Sequence, residues 1–351
     1  MKKAGLLAVI CAFTLLCGCS SWMNGSYASV NPHKEQNLHP EQVLEAPRNY
    51  KDLVNILSNM VLGGQQKKTI PMDKMRGDWQ ADVADAVDYV CNEYPMGAYA
   101  VLDINYDITT TDEKPTLSVE VNYRRSMAEI GGVMQVDTQE EIEEILHSAL
   151  RFFDVSVALS FDEYKDIDFT NIIQRYAIHY PQYVMELPRV SVMMYPQEGE
   201  ERIVELTFSY NTSRTALRQM QQQVDLIFSA SEIYVSGAGE ERDKYAQLYS
   251  FLMNRYDYTV RTSITPAYSL LHQGIGDSKA FATVYAAMCR QAGLSCQTVS
   301  GTRAGQKWYW NILQIGDVTY HIDLLRCRET GQFSYKTPQE MTDYIWNETT
   351  D

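Results

Sequence analysis

The run from Gly274 to Gly293 constrains this chain more than any other. Gly274 and Gly276 flank Ile275 in a turn that ends at Asp277-Ser278, after which Phe281, Val284, Tyr285, Met288 and Ala292 recur at helical spacing. Such a stripe has to be covered by other parts of the chain, and Gly293 stops the helix. Ser278 falls at the helix start, where its hydroxyl is suited to capping a free backbone N–H of the first turn. Residues 268 to 323 therefore lay down a loop, a helix and then two or three strands, with His272 in the leading loop and His321 on the last strand, two residues before Asp323.

A chain of 351 residues exceeds one ordinary core, so two or three domains are expected. Residues 1–18 read as a secretory signal: Lys2 and Lys3 precede an apolar run from Ala4 to Leu16, too short to span a bilayer with its flanks. That run closes on Leu16-Cys17-Gly18-Cys19-Ser20, which resembles the bacterial lipobox, so Cys19 is the expected lipidation site and the membrane an expected partner through that lipid. Residues 19–48 are polar, without apolar period, and read as a disordered tether. The formal net charge of −15 argues against nucleic acid as a partner. Cys91, Cys289, Cys296 and Cys327 fit neither a disulfide framework nor a zinc spacing; burial is expected for each, with a Cys289–Cys296 bridge as the alternative. No cofactor or metal is expected.

Two stretches about 87 residues apart share one plan. Residues 51–62 and 139–151 are amphipathic, with Leu53, Ile56, Leu57 and Met60 answered by Ile142, Ile145, Leu146 and Leu150. Each continues with a strand, a second helix ending in Tyr-Pro (Tyr94-Pro95 and Tyr180-Pro181) and two closing strands. The fold class expected is α+β, with two repeated small α+β modules over 49–130 and 131–213, then a connecting helix and a last α+β domain over 214–351.

Residues 240 to 347 resemble a transglutaminase-like core, a papain-related, cysteine-protease-like fold. The resemblance rests on the Gly-Ile-Gly-Asp-Ser turn and its helix, the Ala292-Gly293-Leu294 exit, Val299-Ser300-Gly301, Trp310-Asn311, Tyr320-His321-Ile322-Asp323 and the ending at Tyr344-Ile345-Trp346. The family implies a Cys at the helix head, a His two residues before Trp-Asn and an Asp after the next strand. Those positions hold Ser278, Trp308 and Asp323. An indole has no basic nitrogen and an unassisted serine hydroxyl is un-ionised at neutral pH, so the resemblance implies a degenerate triad.

The expectation is an exported, lipid-anchored envelope protein whose degenerate domain binds or scaffolds a peptide, glycan or protein. Trp308, Tyr309, Trp310 and Tyr268 are expected to line the former cleft, although Trp308 could equally plug it. Two alternatives stand beside this reading: a serine-dependent hydrolase or acyl-transferase using Ser278 with His272 or His321, and a purely structural envelope spacer.

Overall fold

A computed structural model describes residues 44–111, 114–237, 239–260 and 266–346; the signal segment, Cys19 and the tether up to residue 43 lie outside them. The first helix, α1 (Tyr50–Leu62), starts where Asn49 accepts the Asp52 N–H at 3.0 Å and turns Leu53, Ile56, Leu57 and Met60 inward. Leu44 already packs against this unit and Pro47 is buried, so the last residues assigned to the tether belong to the fold. β1 (Lys67–Pro71) and α2 (Trp79–Asn92) follow. Tyr94-Pro95 does not lead straight into a strand: Pro95 opens a short helix, α3 (Pro95–Ala100), because its missing N–H costs nothing at a first helical position. β2 (Val101–Thr111) and β3 (Lys114–Tyr123) complete an antiparallel sheet of order β1-β3-β2.

A four-residue helix, α4 (Met127–Ile130), and β4 (Met134–Gln135) lead into α5 (Gln139–Phe152), whose Thr138–Glu141 capping box satisfies donors at both positions. Then come β5 (Ser156–Phe161), α6 (Phe169–His179), β6 (Arg189–Tyr195) and β7 (Arg202–Ser209). Their sheet runs β4-β5-β7-β6, with only the β4–β5 pair parallel. The order β5-β7-β6 repeats β1-β3-β2 strand for strand; β4 and α3 have no counterpart in the other unit.

This second sheet is covered on both faces. Val157, Leu159, Val204, Leu206 and Phe208 pack under α5 and α6, whereas Ala158 and Ile203 join the core of the first unit. On that shared face Arg125 and Glu205 form an ion pair at 2.6 Å, with side chains 21% and 9% exposed. The Arg125 guanidinium also lies 4.8 Å from the centre of the Tyr99 ring, which meets Tyr195 edge-on.

Arg214 opens α7 (Arg214–Val235) and ties it back by donating to the Phe152 carbonyl and to Asp154. α8 (Glu241–Met253) follows, with Glu240 as its cap residue. β8 (Asp257–Tyr258), α9 (Pro266–Gln273) and β9 (Ile275–Gly276) lead to α10 (Ser278–Gln291). The segment carrying His272 is thus a helix, not a loop. β10 (Cys296–Arg303), β11 (Gln306–Ile315), β12 (Val318–Ile322), α11 (Leu324–Thr330) and β13 (Tyr344–Trp346) close the chain, in a sheet of order β12-β11-β10-β13. The fold is α+β.

Removing one partner of a buried pair strands the other charge in the interior. Arg125→Ala is expected to cost about 3 kcal/mol in urea unfolding, most of it regained when Glu205 is also replaced by Met. A loss below about 1 kcal/mol would show that the pair does not hold the two sheets together.

Candidate functional site

α10 is buried almost all round, from Ser278 and Ala280 through to Cys289, which fixes its first turn against the rest of the domain. Its cap is Asp277, whose carboxylate accepts the Ala280 N–H at 2.9 Å. This corrects the capping role expected of Ser278, which instead occupies the first helical position and is 8% exposed. Gly276 pairs in parallel with Tyr258, and a Cβ there would come within 2.9 Å of the Ala280 methyl, so only glycine lets β9 pass this close to the helix.

The best-connected group in the domain is Asp323. One carboxylate oxygen, Oδ1, accepts the N–H groups of Leu325 and Arg326, each at 3.1 Å, and caps α11. The other, Oδ2, accepts Trp308 Nε1 at 2.8 Å, Tyr344 Oη at 2.7 Å and Arg303 Nη1 at 3.3 Å. Arg303 also donates to Glu329 at 2.8 Å and lies 5.1 Å from the centre of the Trp308 ring. Tyr258 approaches the same indole, ring centres 5.9 Å apart. Burial, with the Asp323 charge beside it, pushes the Tyr344 phenol well above its ordinary range. Hydrogen bonding from Arg303 holds the Glu329 carboxyl below its own.

The other expected residues scatter. Along β11 side chains alternate, so Trp308 and Trp310 share one face while Tyr309 and Asn311 share the other. Asn311 donates to the Ala282 carbonyl of α10 at 2.8 Å, and Tyr309 lies between the Lys279 and Lys307 ammonium groups. Trp310 is wholly buried with Val299 and Met341, and Tyr344 and Trp346 meet it edge-on. Tyr268 stacks on His272 and donates to Gln223 of α7. The four aromatics therefore do not form one cleft floor, and Trp310 is a core residue. Gly301 lets β13 and Trp310 close over β10: a Cβ would lie 2.3 Å from the Ile345 carbonyl and 2.7 Å from the indole.

Neither histidine is placed as a base for Ser278. His272 is exposed on α9. His321 is 3% exposed, its Nδ1 accepts Trp310 Nε1 at 3.0 Å, and Trp346 covers its ring. Among the described residues no hydrogen bond joins Ser278 to Trp308, Asp323, His272 or His321. Cys289 and Cys296 are buried free thiols in hydrogen-bond contact rather than a bridge, and burial raises the Cys289 thiol well above its usual range. No group of His, Cys, Asp and Glu among the described residues could hold a metal ion. Trp308, Asp323 and the terminal Tyr344-Ile345-Trp346 signature point toward this cluster in the sequence, whereas Arg303 and Tyr258 carry no signal there.

Residues 229–348 match the family profile of the transglutaminase-like superfamily. A proposed protease from Parabacteroides distasonis aligns over 62% of this chain and 35% of its own, at 9% identity and a TM-score of 0.25. A TGase aligns over 63% and 66%, at 12% identity and 0.27. A proposed cysteine protease from Cytophaga hutchinsonii aligns over 45% and 66%, at 12% identity and 0.28. The chain thus spans about a third of the first and just under two thirds of the others, and likenesses this distant carry no argument about activity. No curated protein resembles the chain at a significant level. The last 120 residues or so are a transglutaminase-like domain.

Burial lowers the His321 imidazole below its ordinary value of about 6.5. The unfolded chain then takes up the proton first, so the stability tied to the neutral ring is complete above about pH 6.5 and is lost as pH falls toward the folded value. The His321 ring resonance is expected to titrate below 6.5 by NMR; a midpoint at or above that value would contradict a buried neutral acceptor.

Proposed function

We propose that this chain is an exported envelope protein, anchored by lipid on Cys19, whose transglutaminase-like domain has lost its reaction. Its role on this reading is to bind or scaffold a peptide, glycan or protein of the envelope. The observation that carries the loss of reaction is the Trp308 Nε1–Asp323 bond at 2.8 Å. An acid that would orient a catalytic imidazole here holds an indole, which donates one N–H and has no lone pair for a proton. Among the described residues no imidazole is hydrogen-bonded to Ser278, so none of them favours the hydrolase reading.

The same bond favours the plug over the open aromatic cleft. Trp308 is held at its nitrogen by Asp323 and approached by Arg303 and Tyr258, so a ligand displacing the indole would have to break several contacts. Binding then falls to other surfaces, with the domain as a rigid frame behind a tether. The charged start, apolar run and Cys19 of the first residues support the anchor. The division into 1–18, 19–48, 49–130, 131–213 and 214–351 is part of the same proposal, and the shared strand order of the two sheets supports an internal repeat.

Exposing the full-length protein to a fluorophosphonate probe tests the chemistry: no label on Ser278 is expected, and stoichiometric labelling lost on unfolding would overturn the reading. In cells fed an alkyne fatty acid, label should appear on the protein and vanish in Cys19→Ser; persistence in that variant would remove the anchor.

A further inference from the structure

We infer that the free edge of β6 is a docking site for an extended, carboxylate-bearing peptide, which adds to the β4-β5-β7-β6 sheet as a further strand. This site is separate from the Ser278–Trp308–Asp323 region.

β6 pairs with β7 on one side, and no backbone hydrogen bond from residues 189–197 goes to any other strand among the described residues. Bare edges invite uncontrolled pairing, and proteins usually guard them with charge or proline. The two edges of the first sheet follow that rule: β1 carries Lys67, Lys68 and Pro71, and β2, which holds the place equivalent to β6, carries Asp103 and Asp107. β6 begins at Arg189 and is followed by Pro196, but between them, from Val190 to Tyr195, it has no charged residue, and Val192 and Met193 are 41% and 53% exposed. Beside the charged edges of the first sheet, this stretch of β6 is open to pairing.

A groove of about 590 Å³ lies beside this edge, within the usual size range of ligand sites. Six consecutive residues, 192–197, line one side of it. Successive strand side chains point to opposite faces, so a cavity on one face would touch alternate residues only. Four of the six, Val192 to Tyr195, are consecutive β6 residues, so the groove follows the strand's edge, where an added strand lies about 4.8 Å away. Cys91, Asn92, Ala98 and Arg124 form the opposite wall.

Arg124 sets the chemistry of the occupant. It is the one charged residue in the lining; its Nε donates to the Val101 carbonyl at 2.7 Å, and among the described residues no carboxylate pairs with it. In a chain of net charge −15 the groove therefore presents a guanidinium beside Cys91, Asn92, Ala98 and the β6 residues. Main-chain bonds to the β6 edge would give affinity, and a carboxylate on Arg124 would set the register.

The probe is a blocked, fluorescein-labelled pentapeptide, Thr-Val-Asp-Val-Thr, with two controls: Lys in place of Asp, and methylation of alternate backbone nitrogens. Anisotropy with the full-length protein is expected to show saturable binding of the Asp peptide, at least tenfold weaker binding of the Lys peptide and none of the methylated one. Arg124→Glu should reverse the preference, and Val192→Lys, at an exposed position, should weaken binding without relying on Arg124. Cys91 is a native reporter, and its alkylation by iodoacetamide, read by peptide mass spectrometry, should slow severalfold in the complex. Absence of saturable binding would overturn the proposal, as would binding indifferent to methylation or to Arg124, or binding that leaves Cys91 unprotected. A dimer in sedimentation that Val192→Lys dissociates would also overturn it, by giving the edge to a second copy.

Discussion

Everything at the C-terminal end of this protein turns on how one carboxylate distributes its lone pairs. Asp323 accepts five hydrogen bonds: two from the first turn of α11, and one each from Trp308, Tyr344 and Arg303. A buried carboxylate in a low-dielectric setting has to be satisfied in this way, because leaving it unpaired would cost several kcal/mol. The same bonds that satisfy it fix β11, β13 and the end of β10 around it. Asp323 is thereby the tie between three strands and a helix.

The N-terminal half depends on a different tie. The second sheet has apolar residues on both faces, and the face toward the first unit also carries Glu205, matched by Arg125. Hydrophobic packing of Ala158 and Ile203 alone would tolerate sliding; the ion pair, with Tyr99 and Tyr195 around it, sets one register between the sheets. That register brings Arg124, the neighbour of Arg125, alongside the edge of β6 and so creates the groove there.

Much of the fold was legible because the strongest signals were periodic. The helices over 50–62, 139–152 and 169–179 announce themselves by apolar spacing, and Gly293 marks the end of α10 with a positive φ of 75°. Short elements were not legible: α3 hides behind Tyr94-Pro95, and α9 and α11 are too brief for a period to stand out. Within the site, the positions Ser278, Trp308 and Asp323 could be read from motif order, but their partners could not. Arg303 lies 20 residues from Asp323 in the chain and meets it only because β10 and β11 pair as a hairpin. The aromatic floor was misread for a simpler reason: adjacent residues on β11 were counted as neighbours, when alternation sends Tyr309 to the face opposite Trp308 and Trp310.

The proposed reading keeps positions for nucleophile, base and acid at 278, 308 and 323 and gives up the atoms that react. The direct measurement restores those atoms: Ser278→Cys alone and with Trp308→His, each followed as the rate of alkylation by iodoacetamide against pH. The account predicts a sluggish thiol in the single variant, and in the double variant a thiolate plateau reached at least one pH unit lower, as the imidazole takes the place of the indole on Asp323. Identical profiles for the two would mean that position 308 does not face position 278. A thiol already acidic in the single variant would mean that Ser278 sits in an activating site that needs no base at 308.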